Sequence, residues 1–234
     1  MGCRMDEASV PDLGIMSRVD GILVSVGSVA GMRIIDIGCG EGQVARTFAQ
    51  QGATVVGYDP FIAPTDWVDI GKGRFRLATA AADTIPEPDR SADLVLFVFS
   101  LHHVPRELLA GALGEARRLL KAGASLCIAE PIAEGANQYV MELYHDETDV
   151  RRAAADAMAE FARPYFQSEK VIHYRERRTF NSFDEFAALA IAGTRFNSYT
   201  AEDVLSSAVR RRFNEMFAIH GCNFDLPIRL NIFS

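Results

Sequence analysis

The stretch that decides the fold is Arg33-Ile34-Ile35-Asp36-Ile37-Gly38-Cys39-Gly40-Glu41-Gly42, which runs directly into a helical pattern. Its three isoleucines suit a buried strand, and three glycines follow at alternate positions. Glycines let the backbone turn sharply and approach a ligand closely. A strand, a glycine loop and a helix in this order predict a ligand site at the carboxyl end of the first strand of an open α/β sheet.

Outward from this loop, short apolar runs alternate with helical stretches. Several runs are apolar at consecutive positions, as in strands that helices cover on both faces. The alternation predicts a doubly wound, mostly parallel, seven-stranded sheet with helices on both faces. The expected strands are residues 33–37, 54–58, 75–78, 92–99, 125–130, 171–180 and 226–233.

Helical periodicity predicts the connections. We expect one helix before the first strand, starting at Pro11 and ending near Gly27, and a C-terminal helical insertion before the last strand. The other expected helices are residues 43–51, a weak one near 66–70, 106–121, 136–163, 183–191 and 201–219.

Composition is that of an ordinary soluble protein, with 234 residues, 49% hydrophobic, and a formal net charge of −7. The negative charge argues against a nucleic-acid partner. Four scattered cysteines without a C-x-x-C pair are typical of reduced thiols. With no apparent secretory signal or membrane-spanning run, we expect a cytoplasmic monomer or homodimer with no membrane partner.

The glycine spacing separates two ligand classes. A dinucleotide fingerprint would place its third glycine one residue after Gly42. Asp36, directly before this loop's glycines, would repel a pyrophosphate and favours a positively charged ligand. S-adenosylmethionine (SAM) is such a ligand, since it carries an ammonium and a sulfonium. A tight turn without a ligand is the structural alternative.

Two further carboxylates follow the next strands. Asp59 ends the second strand, where a carboxylate can accept hydrogen bonds from both ribose hydroxyls. Asp83 follows the third strand and can accept from the adenine amine. Each alone is more often a solvated loop acid, but their order after the glycine loop favours a cofactor site.

More motifs follow: Ser100-Leu101-His102-His103-Val104 and the blocks at residues 57–59, 83–86, 92–95 and 118–126. With the glycine loop, they make residues 33–131 resemble the class I SAM-dependent methyltransferases, especially the branch that modifies ubiquinone and menaquinone precursors. The resemblance implies a Rossmann-like methyltransferase fold and methyl transfer from SAM to an O, N or C atom of a small molecule by in-line displacement. S-adenosylhomocysteine (SAH) would be the product.

The resemblance also assigns cofactor contacts by position. Gly38 and Gly40 would pack against the methionine part of SAM, with Asp36 orienting the loop. Asp59 would hold the ribose, and Asp83 the adenine edge. The remaining cofactor-binding positions are Cys39, Pro60, Ala82, Thr84, Phe99 and Ser100, the last two beside the reacting methyl group.

The domain prediction follows the same resemblance. Residues 1–10 are expected to be a flexible N-terminus, and residues 11–234 a single methyltransferase domain. Within it, residues 31–131 form the SAM-binding core. Residues 132–234 supply the substrate-side insertion and complete the sheet.

Candidates for chemistry are His103, His145 and Glu130. A general base is needed only if the acceptor must lose a proton. His103 and Glu130 follow the fourth and fifth strands, and His145 lies where substrate-binding helices are often inserted. A structural role is the alternative for each. His145-Asp146-Glu147 contains metal-ligand residue types, but no second ligand pair is spaced to complete a site, so no metal is expected.

Several alternatives stay open. A nicotinamide oxidoreductase is disfavoured by the glycine spacing and by the lack of a Tyr-x-x-x-Lys pair. A non-catalytic SAM-binding protein and a methyltransferase acting on tRNA or protein remain as rivals. Two basic clusters could meet an anionic substrate but are more readily solvated surface; they are Arg175/Arg177/Arg178 and Arg210/Arg211/Arg212. The aromatic residues after 160 are predicted to be core more than acceptor pocket.

Overall fold

A computed structural model describes residues 10–234. Over these residues, nine strands form a single sheet in the order β1-β8-β9-β7-β6-β2-β3-β5-β4. The strands are β1 (Asp12–Ile15), β2 (Arg33–Ile37), β3 (Thr54–Tyr58), β4 (Val68–Ile70), β5 (Gly73–Ala78), β6 (Ala92–Val98), β7 (Leu120–Pro131), β8 (Glu169–Glu176) and β9 (Leu226–Phe233). The flexible N-terminus expected at residues 1–10 falls, except for Val10, outside the described residues.

The sheet is mostly parallel. β4 and β9 run antiparallel to their neighbours, and the other pairs are parallel. The chain winds outward in both directions from the β2–β6 pair, which makes that pair the topological switch point. Ligands of open α/β sheets bind beyond the carboxyl ends of the strands at such a point.

Helices cover both faces of the sheet. They are α1 (Arg18–Val26), α2 (Gln43–Gln50), α3 (Leu109–Leu119), α4 (Gly135–Met141), α5 (Thr148–Ala157), α6 (Phe183–Ala192), α7 (Ala201–Val204) and α8 (Ser207–His220). Short 3₁₀ or π segments occupy Leu101–His103, Arg106–Leu108, Met158–Ala162, Arg163–Tyr165 and Gly193–Phe196. No helix in residues 10–234 combines the length and apolarity needed to cross a membrane.

Successive strand residues point to opposite faces, so the apolar runs supply two cores. Ile34 packs with α1 and α2 on one face, whereas its neighbour Ile35 packs with α3 and α5 on the other. Both side chains are fully buried. The double burial explains why these strands are apolar at consecutive positions.

A separate apolar cluster holds α4, α6 and α8 together above the carboxyl edge. Phe213 stacks on Phe224 with ring centroids 5.0 Å apart and meets Phe186 at 5.3 Å. All three side chains are buried. The aromatic residues here form the core of the C-terminal helical insertion, in agreement with the sequence prediction.

The seven predicted strand positions all form strands, but the predicted strand number was wrong because two short strands extend the edges. The helix expected from Pro11 begins only at Arg18, where the Ser17 side chain accepts from the Asp20 N–H and caps it. Asp12–Ile15 instead pairs with β8 as an edge strand. The predicted helix was too long because the apolar residues of β1 happen to continue the helical spacing of α1.

The weak helix expected near residues 66–70 was also wrong. Residues Val68–Ile70 form β4, which pairs antiparallel with β5 through a turn at Gly71 and Lys72. Gly71 has φ +60°, which glycine adopts without strain and which suits a two-residue hairpin turn. Residues 201–219 likewise divide into α7 and α8, because Ser206 caps a new helix through the Val209 N–H.

Truncating the insertion core should cost stability. Phe213→Ala removes a side chain that is 1% exposed, and we expect the free energy of unfolding to fall by about 3–5 kcal/mol. Ile219→Ala on the same helix, at a side chain that is 69% exposed, is the control and should change it by less than about 0.5 kcal/mol. Denaturant titration of both variants checks this, and equal losses would contradict the assigned core.

Candidate functional site

The glycine loop closes tightly against the neighbouring strand ends. The Gly38 N–H donates to the Tyr58 carbonyl at 2.7 Å, and the residue has φ +74°. A Cβ at Gly38 would lie 2.4 Å from the Ser100 Cβ, closer than atoms can pack. The glycine is therefore required both by its backbone conformation and by the approach of Ser100.

Asp36 is a buried carboxylate at the end of β2. Its residue is 1% exposed, and its Oδ2 has no hydrogen-bond partner among the described residues. Burial, with a contribution from the charge of Asp59, raises the pKa of Asp36 from 3.8 to about 7. An unpartnered buried carboxylate is costly, so it favours a ligand that brings positive charge or a donor to this edge.

Asp59 links the second strand end to the loop. Its Oδ2 accepts from the Gly40 N–H at 3.0 Å, and its Oδ1 accepts from the Phe61 N–H at 2.9 Å. A Cβ at Gly40 would find no described atom within 4 Å, so the loop leaves open space there. The half-buried carboxylate and the open turn lie together at the carboxyl edge.

Phe99 and Ser100 form the opposite wall, at the end of β6. The Ser100 hydroxyl donates to the Ile37 carbonyl at 2.6 Å and joins the two strand ends. Phe99 has φ +57°, a conformation that a bulky side chain rarely adopts. The Arg18 guanidinium carbon lies 3.9 Å from the Phe99 ring centroid, which places α1 beside this wall.

The other predicted cofactor-binding residues make fewer contacts with the glycine loop and the strand ends around it. Cys39 is buried, and burial with the nearby acids raises the pKa of its thiol. Asp83 and Ala82 are half-buried in the loop after β5, with Asp83 beside Gly111 of the segment that opens α3. The exposed positions are Pro60 and Thr84.

These residues fit SAM. A positively charged ammonium would satisfy the buried oxygen of Asp36, and the open turn at Gly40 leaves room for the ligand. Asp59 has further acceptor capacity for hydroxyl groups, since each carboxylate oxygen has two lone pairs. A pyrophosphate, by contrast, would meet both Asp36 and Asp59 with like charge.

Glu130 and His102 form a buried pair behind this wall. The His102 Nδ1 is hydrogen-bonded to Glu130 Oε2, and Glu130 Oε1 accepts from the Leu101 N–H at 2.9 Å. Burial alone lowers the pKa of His102, but Glu130 and Glu147 together raise it to about 9. Glu130, expected as a candidate for chemistry, has both oxygens engaged in holding the turn after β6.

Three histidine side chains lie around the carboxylate of Glu147. Its Oε1 lies 2.9 Å from His145 Nε2, 3.4 Å from His102 Nε2 and 4.0 Å from His103 Nε2. Burial raises the pKa of Glu147, but hydrogen bonds from His102 and His145 and nearby positive charges hold it well below its usual range. Burial and the charge of His102 lower the pKa of His103 to about 4.

Sequence reasoning missed the hub of this cluster. It named His103 and His145 as candidates and noted the metal-ligand residue types of His145-Asp146-Glu147, but it did not predict that Glu147 would meet His102 and His103. The i,i+4 spacing of Glu147 and Arg151 was a usable signal, since such pairs meet on one helix face. Arg151 donates to Glu147 Oε2 at 2.5 Å and to Gln138 Oε1 at 2.8 Å.

Two arginines, Arg18 and Arg178, form a basic wall beside Phe99. Arg18 donates to Glu176 at 3.0 Å, and an Arg178 nitrogen lies 3.8 Å from the same carboxylate oxygen. Burial lowers the pKa of Arg178, whose side chain is only 25% exposed. The prediction of solvated surface therefore fails for this arginine, because β8 carries it to the edge where Phe99 lies.

Comparison with known proteins decides the family. A family described as "Methyltransferase domain" matches residues 23–204, which is most of the chain. The chain belongs to this methyltransferase family. The resemblance inferred from the glycine loop and the motifs after it is thereby confirmed.

Curated relatives of this chain are named for steps of quinone biosynthesis. A demethylmenaquinone methyltransferase of Tropheryma whipplei is 35% identical over 113 residues, covering 45% of this chain and 44% of the relative. A ubiquinone biosynthesis O-methyltransferase of Ruegeria sp. is 29% identical over 153 residues, covering 64% and 60%. The chain thus spans less than half the length of the first of these relatives.

Solved structures share the fold. A methyltransferase from an antibiotic biosynthesis pathway of Anabaena variabilis has a TM-score of 0.59 at 18% identity, covering 93% of this chain and 98% of that one. The cyclase SpnF has a TM-score of 0.50 at 18% identity, covering 93% and 81%. The fold alone therefore does not specify the reaction.

The buried carboxylate of Asp36 predicts a pH-dependent stability difference. Its folded pKa of about 7 exceeds its unfolded value, so ionisation destabilises the ligand-free fold as pH rises between about 4 and 7. Asp36→Asn escapes this cost. Between about pH 4 and pH 7, the free energy of unfolding of the variant minus that of the wild type should therefore rise by up to about 4 kcal/mol.

Denaturant titrations of both proteins at several pH values measure the difference. Asp66→Asn, at an exposed carboxylate, is the control and should follow the wild type at every pH. A difference between Asp36→Asn and wild type that stays constant with pH would show that Asp36 is not ionising at the cost described.

Proposed function

We propose that this chain binds SAM at the glycine loop and transfers its methyl group to a small-molecule acceptor. The observation that carries the proposal is the buried Asp36 carboxylate, with one oxygen unpartnered among the described residues, beside the open turn at Gly40. Membership of the methyltransferase family supports the same conclusion.

When bound, SAM supplies a sulfonium methyl group that is transferred by in-line displacement. The chain's part is to bind SAM and the acceptor, to orient them for the displacement, and to exclude water. Asp36 holds the ammonium end, Asp59 accepts from the ribose, and Asp83 meets the adenine edge. Ser100 fixes the end of β6 against β2, which supports the proposed position of Phe99 beside the reacting methyl group.

We propose that the acceptor enters from the side of the helical insertion. Phe99, Tyr144 and Tyr199 offer aromatic surface there, with the rings of Tyr144 and Tyr199 5.0 Å apart. Arg18 and Arg178 share the single carboxylate of Glu176, which leaves positive charge on this wall. These features favour an aromatic acceptor that carries a carboxylate or a similar anionic group.

The relatives' names favour this over the rival functions. The curated relatives are called quinone-biosynthesis methyltransferases, which act on small molecules by name. A non-catalytic SAM-binding protein, and a methyltransferase acting on tRNA or protein, are not favoured by these matches. His103 and His145 remain candidates for contact with the acceptor, whereas we assign Glu130 a positioning role through His102.

The ribose assignment gives a direct binding test. Asp59→Ala removes the expected acceptor for the ribose hydroxyls and the partner of the Gly40 N–H, so SAH affinity should fall by about 10–100-fold. Asp184→Ala, at a side chain that is 84% exposed on α6, should bind SAH like the wild type. Calorimetric titration measures both, and normal SAH binding by Asp59→Ala would refute the site.

The basic wall gives a test of acceptor charge. In the SAH-bound protein, Arg178→Gln should weaken binding of 3,4-dihydroxybenzoate about tenfold or more, since it removes a charged hydrogen-bond donor. The methyl ester of the same compound should be much less affected. The matched control is Arg177→Gln, because Arg177 already pairs with Asp225 at 2.7 and 3.1 Å.

Calorimetry on the three proteins makes this comparison. If Arg178→Gln and Arg177→Gln weaken the acid equally, or the acid and the ester respond alike to Arg178→Gln, the wall does not select an anionic acceptor.

A further inference from the structure

Three potential metal ligands converge beside the proposed methyl site. One ring nitrogen each from His102 and His103 and a carboxylate oxygen of Glu147 lie within 4.8 Å of one another. The histidines belong to the 3₁₀ turn after β6, and Glu147 precedes α5. The second ligand pair that the sequence lacked near His145 is thus supplied by the chain about 40 residues earlier.

The spacing suits a small tetrahedral ion. Glu147 Oε1 lies 3.4 Å from His102 Nε2 and 4.0 Å from His103 Nε2. Ligand atoms at ordinary zinc distances of about 2.0–2.1 Å lie roughly 3.4 Å from one another in a tetrahedral site. Because the ligand atoms are up to 4.8 Å apart, the half-exposed His103 ring would have to turn towards the other two ligands as the ion binds.

The surrounding contacts orient these ligands as in metal sites. His102 uses its Nδ1 to bond Glu130 and directs its Nε2 at Glu147. A bound cation would take the place of the Nε2 proton, which would be released to solvent. Arg151 holds the other oxygen of Glu147 at 2.5 Å. A histidine held by a carboxylate, and a ligand carboxylate that is itself hydrogen-bonded, are the usual outer contacts of a bound metal ion.

The ligand set selects the kind of ion. Two imidazole nitrogens and one carboxylate suit zinc and similar divalent transition metals, whereas magnesium and calcium prefer oxygen ligands alone. Three protein ligands leave a fourth position, as in catalytic zinc sites. The His103 side chain is 49% exposed, against 2% for His102 and 8% for Glu147, so solvent reaches the three ligands on the side of His103.

We propose that His102, His103 and Glu147 bind one zinc-class divalent cation, with His145 and Arg151 supporting Glu147 from outside. The two histidine ligands follow Phe99 and Ser100 closely in the sequence, at the same edge of the sheet. If the proposed function holds, the open position of the cation binds the acceptor hydroxyl and promotes loss of the proton to solvent before the oxygen accepts the methyl group. The binding of the ion itself does not depend on that function.

Equilibrium dialysis tests the site on the full chain after chelator treatment. Wild type should bind one equivalent of Zn²⁺, and Co²⁺ should give the intense visible absorption of a tetrahedral ion. His103→Ala, at the exposed ligand, should bind Zn²⁺ at least about tenfold more weakly. His220→Ala removes an exposed histidine at the end of α8 and is the matched control, which should bind like the wild type.

SAH titration of the same proteins separates the two claims. Because His103 is not among the proposed cofactor contacts, SAH binding by His103→Ala shows that the fold is intact. Glu147→Gln should also lose Zn²⁺, and it provides a second test if His103→Ala misfolds. The metal proposal is overturned if wild type binds no Zn²⁺, or if His103→Ala and Glu147→Gln bind it as tightly as wild type, whatever the SAH result.

Discussion

The hydrogen bond from the Ser100 hydroxyl to the Ile37 carbonyl joins β6 to β2 at the point where the chain changes direction across the sheet. It is possible only because Gly38 has no side chain, since a Cβ there would overlap Ser100. The same contact fixes the glycine loop on one side of the cleft and Phe99 on the opposite side. The glycine loop and the proposed acceptor side are therefore held by one close approach, and rigid strand ends hold such a site better than loops do.

Around this junction, charge is distributed unevenly. Asp36 and Asp59 make the proposed cofactor side acidic, whereas Arg18 and Arg178 make the proposed acceptor side basic. Between them, the buried His102 is held by Glu130 and Glu147. Buried charges persist when they are paired or when a ligand completes them. The paired groups brace the turn after β6, and the incompletely paired ones identify where ligands belong.

Much of the fold could be predicted from the sequence, because buried parallel strands have a strong local signature. Residues 33–37 and 54–58 were predicted with the observed limits of β2 and β3. The edge strands β1 and β4 were not, since three- and four-residue strands depend on pairing with a distant partner. The glycine loop and Asp59 could be predicted as site residues because they follow strands directly in the sequence. The meeting of Glu147 with His102 was not, because it depends on how α5 packs against the turn after β6.

The central claim is that the carboxylates at the glycine loop favour the ammonium-bearing ligands SAM and SAH over a dinucleotide. A parallel calorimetric titration of the full chain with SAH and with NAD tests it most directly, since both ligands carry adenosine and only NAD carries a pyrophosphate. We expect SAH to bind with one-to-one stoichiometry and NAD to give no measurable heat of binding. Binding of NAD without binding of SAH would contradict the claim.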